Sequence, residues 1–177
     1  MQRIDRDSQL RAYVIENNNQ EGHMLENCQS AQEKWGGVSE IIDRWLKERQ
    51  ELLVLYCNLS DIASEHDKVE RGNELKRLCQ IMVDYVSAGH FEVYNQLLEE
   101  GREFNDTDGL RTASQLYKEI DKTTEFVLDF NDKYQETDDL ETIETDLSRL
   151  GETLVNRFES EDRMIEVLHT AHKDKVA

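Results

Sequence analysis

The chain has 177 residues, a formal net charge of −18 from 39 acidic and 21 basic residues, and no proline. A chain of this length contains about nine prolines on average, so their absence argues against a loop-rich sandwich, barrel or secreted scaffold and favours helices. The acidic excess argues against direct binding of nucleic acid or of a membrane surface, because both require a basic footprint.

The amino-terminal part of the sequence differs from the rest. Residues 1–23 contain a short apolar stretch and a polar run without sustained periodicity. We interpret them as an extension that is non-native or disordered, and residues 24–177 as a single helical domain. A short helix is expected at residues 25–35, where Gly36 and Gly37 interrupt it.

Four longer segments carry apolar residues at three- and four-residue steps, the period of an amphipathic helix. They span about 38–59, 70–99, 110–134 and 138–172. Asp67-x-x-Glu70 and Asp138-x-x-Glu141 match a capping box at the start of the second and fourth segments. Because short connections favour antiparallel neighbours, we predict an all-α fold: an up-down-up-down four-helix bundle with a short extra amino-terminal helix.

Projection of each helix at about 100° per residue directs several polar side chains inward. Arg49 lies among apolar residues of the first helix, and Glu161 lies at the centre of the apolar stripe of the fourth. A buried unpaired guanidinium is very unfavourable, so we predict an Arg49–Glu161 pair, although counting from the opposite helix end places Arg49 near Ser148. The predicted buried polar network, which fixes the register of the bundle, comprises Arg49, His90, Asn131, Arg157 and Glu161.

Catalytic and metal chemistry has little support in the sequence. A di-iron bundle needs two Glu-x-x-His motifs, and only Glu166-x-x-His169 is present, so we predict no metal and no cofactor. A histidine phosphotransfer module acting through His90 is the alternative, but His90 has no adjacent lysine to hold phosphate. No phosphate loop or nucleophile motif occurs. We therefore predict a non-enzymatic protein.

One face of the second helix is unusual for a solvated surface. Asp84, Ser87, Ala88 and Phe91 fall at i, i+3, i+4 and i+7, nearly opposite the core stripe. An aromatic residue beside small residues and one carboxylate is typical of a surface that binds a partner helix. Packing of Phe91 under the amino-terminal helix would explain the pattern without a partner.

Charge and cysteine usage indicate the kind of partner and the compartment. Residues 99–146 hold 16 acidic and five basic residues, a net charge of −11, which favours docking with a basic protein. The three cysteines form no Cys-x-x-Cys pair, and no apolar run approaches the about 18 residues of a membrane span. We expect a cytoplasmic protein.

Several segments together resemble the bacterial Rsd/AlgQ regulators, over roughly residues 24–170. They are Trp35-Gly-Gly-Val, Ile42-Asp-Arg-Trp-Leu46, Leu78-Cys-Gln-x-Met-Val-Asp-Tyr-Val-Ser-Ala-Gly-His-Phe-Glu-Val-Tyr94 and Arg157-Phe-Glu-Ser-Glu-Asp162. Rsd-like proteins are anti-sigma factors that bind the −35-recognising domain of the housekeeping sigma factor and keep it from core RNA polymerase.

The resemblance implies that this chain regulates transcription by binding the carboxy-terminal DNA-binding domain of that sigma factor, with Asp84 as a contact. That domain is a basic helix-turn-helix module, so the acidic character of this chain would complement the charge of its partner. Family members have also been linked to the sugar-phosphotransfer carrier protein. The resemblance therefore implies that the carrier protein is a second partner of this chain.

Overall fold

The computed structural model describes residues 37–61, 68–137 and 139–173, which form four long helices and no strand. Helix α1 is Gly37–Asp61, and α3 is Thr107–Tyr134. Helix α2 comprises Lys68–Ala88, a π-helical turn at Gly89–Val93, and Tyr94–Glu103. Helix α4 comprises Ile143–Ile165, a π-helical turn at Glu166–Thr170, and the last turn Ala171–Lys173. The predicted all-α helical bundle is confirmed.

The helix ends follow local capping chemistry. Helix α3 begins where Asp106 accepts a 2.9 Å hydrogen bond from the backbone N–H of Gly109. The fourth helix begins at Ile143, so the predicted start near residue 138 is wrong. Asp139 accepts a hydrogen bond from the backbone N–H of Glu141 at 3.0 Å, and this side-chain turn competes with helix formation.

Some predicted features lie outside the described residues. These are the amino-terminal extension, the helix at 25–35, and the capping residues Asp67 and Asp138. Among the described helices, none combines the length and the apolar character needed to cross a membrane.

A continuous apolar core joins the four helices. Leu52, Met82, Ile120 and Leu154, one from each helix, are fully buried. Burial of such a side chain contributes about 1.5–3 kcal/mol relative to leaving it in water. Contacts between α1 and α4 run in opposite chain directions, from Ser39 with His169 to Tyr56 with Leu147.

The two π-helical turns change the register of the helices that contain them. In the first, the backbone N–H of Tyr94 donates to the carbonyl of Gly89, five residues earlier. In the second, the N–H of Ala171 donates to the carbonyl of Glu166. Each turn holds one residue more than an α-helical turn, so later side chains are rotated by about 100° from their α-helical positions.

Candidate functional site

A fully buried carboxylate, Glu161 of α4, is the centre of a polar network in the bundle core. Its Oε2 accepts hydrogen bonds from Arg49 Nη2 at 3.2 Å and from the Tyr85 hydroxyl. Its Oε1 accepts from Arg157 Nε at 2.8 Å and from the Tyr94 hydroxyl at 2.5 Å. Two guanidinium groups and two phenols therefore satisfy one carboxylate, as a buried charge requires. We call Glu161 and these four donors the Glu161 network.

The Arg49 side of the Glu161 network connects α1 with α2 and α4. Arg49 Nε donates to the Tyr85 hydroxyl at 3.0 Å, and Nη1 donates to Asp162 Oδ1 at 2.5 Å. The guanidinium also lies over the ring of Phe158, 4.7 Å from its centroid. Every face of this buried cation therefore meets a carboxylate, a hydroxyl or an aromatic ring.

The Arg157 side connects α4 with α2 and α3. Arg157 Nη2 donates to the Tyr94 hydroxyl at 3.0 Å, and Nη1 donates to the hydroxyls of Thr123 and Thr124 at 3.0 and 2.8 Å. Burial alone would lower the pKa of Arg157, but Glu161 and the two phenols outweigh it and raise that pKa. Arg157 is therefore a permanent cation, and with Arg49 it balances Glu161 and Asp162.

His90 joins the network through Thr124. Its Nε2 lies 3.0 Å from Thr124 Oγ1, and its Nδ1 lies 3.1 Å from the Tyr117 hydroxyl. Thr124 already donates its proton to the carbonyl of Ile120, so it accepts from His90, which places the imidazole proton on Nε2. Burial, together with the neighbouring Arg157, lowers the pKa of His90, so the neutral ring is favoured.

The described structure brings together four of the five residues of the predicted network. Asn131 does not join them, so its predicted place in the network is wrong. It is only partly buried, and its amide lies 3.4 Å from the side chains of Asp132 and Gln135 on its own helix.

Sequence reasoning missed the two tyrosines that complete the network. Tyrosine suits an apolar stripe whether or not its hydroxyl has a partner, so the apolar periodicity of the second segment assigns no polar role to Tyr85 or Tyr94. Nine α-helical residues turn by about 900°, which would put these side chains on opposite faces. The π-helical turn between them reduces this angle, and both hydroxyls reach Glu161.

A second buried polar cluster lies at the end of the bundle where α4 ends. His169 Nδ1 lies 2.7 Å from Glu100 Oε2, and His172 Nε2 lies 2.9 Å from Asp106 Oδ2. Sequence reasoning considered His169 only as a metal ligand, because its acidic partner Glu100 lies 69 residues away along the chain. Among the described residues, no group of three or more His, Cys, Asp or Glu side chains could hold a metal ion.

The outer face of α2, defined by Asp84, Ser87, Ala88 and Phe91, lies away from the core. Phe91 is 82% exposed, whereas Ser87 and Ala88 are half-buried. Asp84 is exposed and accepts a hydrogen bond from Gln80 Nε2 at 3.0 Å. This face of α2 therefore carries one exposed aromatic ring, two half-buried small residues and one exposed carboxylate.

Helix α1 adds further charge beside the outer face of α2. Arg44 of α1 pairs with Glu92 of α2 at 2.7 Å. The pKa of Glu48 is raised by partial burial and by the nearby carboxylates of Asp84, Glu51 and Glu92, while Arg44 opposes this shift. Carboxylates of α1 and α2 therefore lie close together beside the outer face of α2, and Arg44 pairs with one of them.

Comparison with known proteins finds similarity to regulators of sigma factors. Residues 24–169 match a family described as "Regulator of RNA polymerase sigma(70) subunit, Rsd/AlgQ". A protein called "Regulator of sigma D" from Enterobacter sp. (strain 638) is 35% identical over 165 residues, covering 87% of this chain and 98% of that protein. Proteins of the same name from Yersinia enterocolitica and Salmonella typhi are 32% and 34% identical, over 81% and 85% of this chain and 89% and 95% of their own.

Proposed function

The chain belongs to the Rsd/AlgQ family of regulators of the RNA polymerase sigma(70) subunit, and we propose that it is an anti-sigma factor that binds the −35-recognising domain of the housekeeping sigma factor. Binding keeps the sigma factor from core RNA polymerase and so regulates transcription. The family and its named relatives are described as regulators and not as enzymes. The chain acts stoichiometrically, without a cofactor.

The observation that carries this proposal is the exposure of Phe91 beside Asp84 on the outer face of α2. Large aromatic side chains bury 150–250 Å² or so when a partner covers them, and they are frequent among the residues that dominate binding energy. Here the Phe91 ring is 82% exposed, in the π-helical turn of α2. A groove between two helices of the sigma domain is a suitable receptor for it.

Charge complementarity supports the same partner. A DNA-binding domain carries a basic surface, and on this side of the molecule the carboxylate of Glu48 lies close enough to those of Asp84 and Glu92 to interact with both. Asp84 meets a basic side chain of the sigma domain, while Phe91 supplies the apolar contact. The net charge of −18 increases the rate at which the two proteins meet.

The alternative function, phosphotransfer through His90, is disfavoured by the surroundings of that ring. Both ring nitrogens lie within 3.1 Å of a hydroxyl group, and the ring packs edge-on against Tyr94 and Tyr117. A phosphoacceptor needs one nitrogen free to attack a phosphoryl group. Incubation with a phosphodonor should leave His90 unmodified, and acid-labile phosphate on His90 would favour the alternative.

Calorimetric titration of the purified sigma domain tests the proposed surface. Asp84→Ala and Phe91→Ala should each weaken binding by about 1–4 kcal/mol, the range of interface hot spots. Both side chains are exposed, so both variants should keep a near-native melting temperature. Binding of both stable variants with wild-type affinity would place the interface elsewhere.

Two matched variants control for the loss of an exposed side chain. Val69→Ala shortens an apolar residue that is 71% exposed at the start of α2, more than 20 residues from Phe91 along the chain. Glu159→Ala removes an exposed carboxylate from α4. Both controls should bind the sigma domain with wild-type affinity, since neither belongs to the outer face of α2.

A further inference from the structure

The proposed function does not explain why a π-helical turn, Gly89–Val93, carries Phe91. Four consecutive residues of this turn face four different surroundings. Gly89 is buried against the core, His90 contacts α3, Phe91 is exposed, and Glu92 pairs with Arg44 of α1. The direction of the Phe91 ring is therefore set by the neighbours that hold the rest of the turn.

The inner side of the turn rests directly on the Glu161 network. A Cβ atom at Gly89 would lie 2.8 Å from the hydroxyl oxygen of Tyr94 and 3.1 Å from Trp45 Cζ2. A Cβ at this position would force the Tyr94 side chain to shift, whereas glycine permits the close approach. Hydrogen bonds to Glu161 and Arg157 hold the Tyr94 hydroxyl in place. Gly89 therefore packs against a side chain whose position is fixed.

Tyr94 also holds the backbone of the π-helical turn. The N–H of Tyr94 makes the hydrogen bond to the Gly89 carbonyl that defines the π-helical turn. Tyr94 can direct its hydroxyl to Glu161, the carboxylate that also binds Tyr85, because this turn contains the extra residue. An α-helical turn at this place would rotate either Tyr94 away from Glu161 or Phe91 away from its present direction.

We infer that Gly89 and Tyr94 are positioning residues for partner binding: they couple the Glu161 network to the π-helical turn and so fix the direction in which Phe91 meets the partner. This inference rests on the proposed function, and it deepens that function by assigning the buried charges a role in recognition. Such π-helical turns within longer helices frequently occur at functional sites. Neither Gly89 nor Tyr94 contacts the partner, since both are buried.

A double-mutant cycle with Phe91 tests the inference on the full chain. Gly89→Ala should weaken calorimetric binding of the purified sigma domain at least about tenfold, equivalent to about 1.4 kcal/mol. In a Phe91→Ala background the same substitution should change affinity less than about twofold, because no aromatic ring remains to be positioned. A loss of the same size in both backgrounds would overturn the inference.

Gly72→Ala is the matched control, because it makes the same change in the same helix where a Cβ would meet nothing within 4 Å. It should leave binding unchanged. Tyr94→Phe is the second variant if Gly89→Ala does not fold. It keeps the ring but removes the hydroxyl, and it should weaken binding at least about threefold only when Phe91 is present.

Hydrogen exchange separates positioning from general destabilisation. In Tyr94→Phe, the amides of Gly89–Val93 and Tyr94 should exchange faster, while those in the middle of α3 keep wild-type protection. Uniform loss of protection, or wild-type binding by both Gly89→Ala and Tyr94→Phe, would overturn the inference. Failure of the wild-type chain to bind the sigma domain is a different result, and it would overturn the proposed function together with this inference.

Discussion

Glu161 is the buried carboxylate on which two guanidinium groups and two phenols converge. Glu161→Ala and Arg49→Ala should each lower the free energy of unfolding by about 3–5 kcal/mol, because a stranded buried charge is strongly destabilising. Glu161→Ala should lie at the upper end, since it removes the carboxylate that accepts hydrogen bonds from two buried guanidinium groups and two phenols. Urea unfolding followed by the fluorescence of the buried Trp45 measures both values.

The Arg49→Ala/Glu161→Ala double variant shows whether the two residues act together. Its loss should be smaller than the sum of the single losses, and additive losses would contradict the interaction. Arg163→Ala is the control, because Arg163 and its partner Glu166 are both more than half exposed. It should change the free energy of unfolding by less than about 0.5 kcal/mol.

His90 gives the fold a defined pH dependence. Burial and Arg157 lower its pKa in the folded chain, so the unfolded chain binds this proton at a higher pH. The stability that neutral His90 contributes is complete above its ordinary pKa of about 6.5 and is lost as the pH falls through the lower folded value. The difference in unfolding free energy between wild type and His90→Gln should therefore shrink from about pH 7.5 to about pH 5. A constant difference would contradict this assignment.

Helical projection could predict the charged residues of the network but not their hydroxyl partners. Arg49, Arg157 and Glu161 are conspicuous in the sequence because they interrupt apolar stripes. Tyr85 and Tyr94 are not conspicuous, because a tyrosine suits an apolar stripe whether or not its hydroxyl has a partner. Asn131 was misassigned for the opposite reason, since a polar residue at the edge of a stripe can remain in contact with water.

At the scale of whole helices, periodicity predicts where the chain is helical but not where a helix changes type. The four segments were found, with ends in error by up to about five residues where side-chain turns compete. The π-helical turns have no local signature in the sequence. The turn at Gly89–Val93 depends on a contact with a distant part of the chain, because Glu161 of α4 binds both Tyr85 and Tyr94, which lie on either side of it.

Two helical glycines should respond oppositely to alanine. Gly72→Ala in α2 should raise the free energy of unfolding by about 0.5–1 kcal/mol, because alanine loses less conformational entropy and meets open space. Gly151→Ala in α4 should lower it by about 1–3 kcal/mol, because the new Cβ would collide with the Tyr56 hydroxyl. Urea unfolding measures both, and a stabilised Gly151→Ala variant would contradict the packing of α1 on α4.

For the molecule as a whole, the net charge of −18 predicts salt-dependent association. Attraction between this chain and the basic sigma domain is screened beyond about 8 Å at physiological ionic strength. The association rate constant measured by stopped flow should therefore fall steeply as salt rises, while the dissociation rate changes little. An association rate independent of salt would show that charge does not direct the encounter.

The family of the molecule could be predicted from the sequence. The arrangement of the proposed binding surface around Phe91 could be predicted only in part. The resemblance to Rsd/AlgQ proteins is confirmed by the match over residues 24–169 and by 32–35% identity to the named relatives. Phe91 could be placed on a face opposite the core by spacing alone. Its dependence on Gly89 and Tyr94 could not, because that depends on the distance of one backbone from a side chain of the next turn.

Competition between this chain and core RNA polymerase for the full-length housekeeping sigma factor tests the central claim most directly. With the sigma factor and core polymerase held at equal concentrations, increasing amounts of the wild-type chain should reduce the holoenzyme resolved by native electrophoresis. Phe91→Ala should require at least about fivefold more protein for the same effect, and Val69→Ala should match wild type. A holoenzyme level unaffected by an excess of the folded wild-type chain would contradict the account.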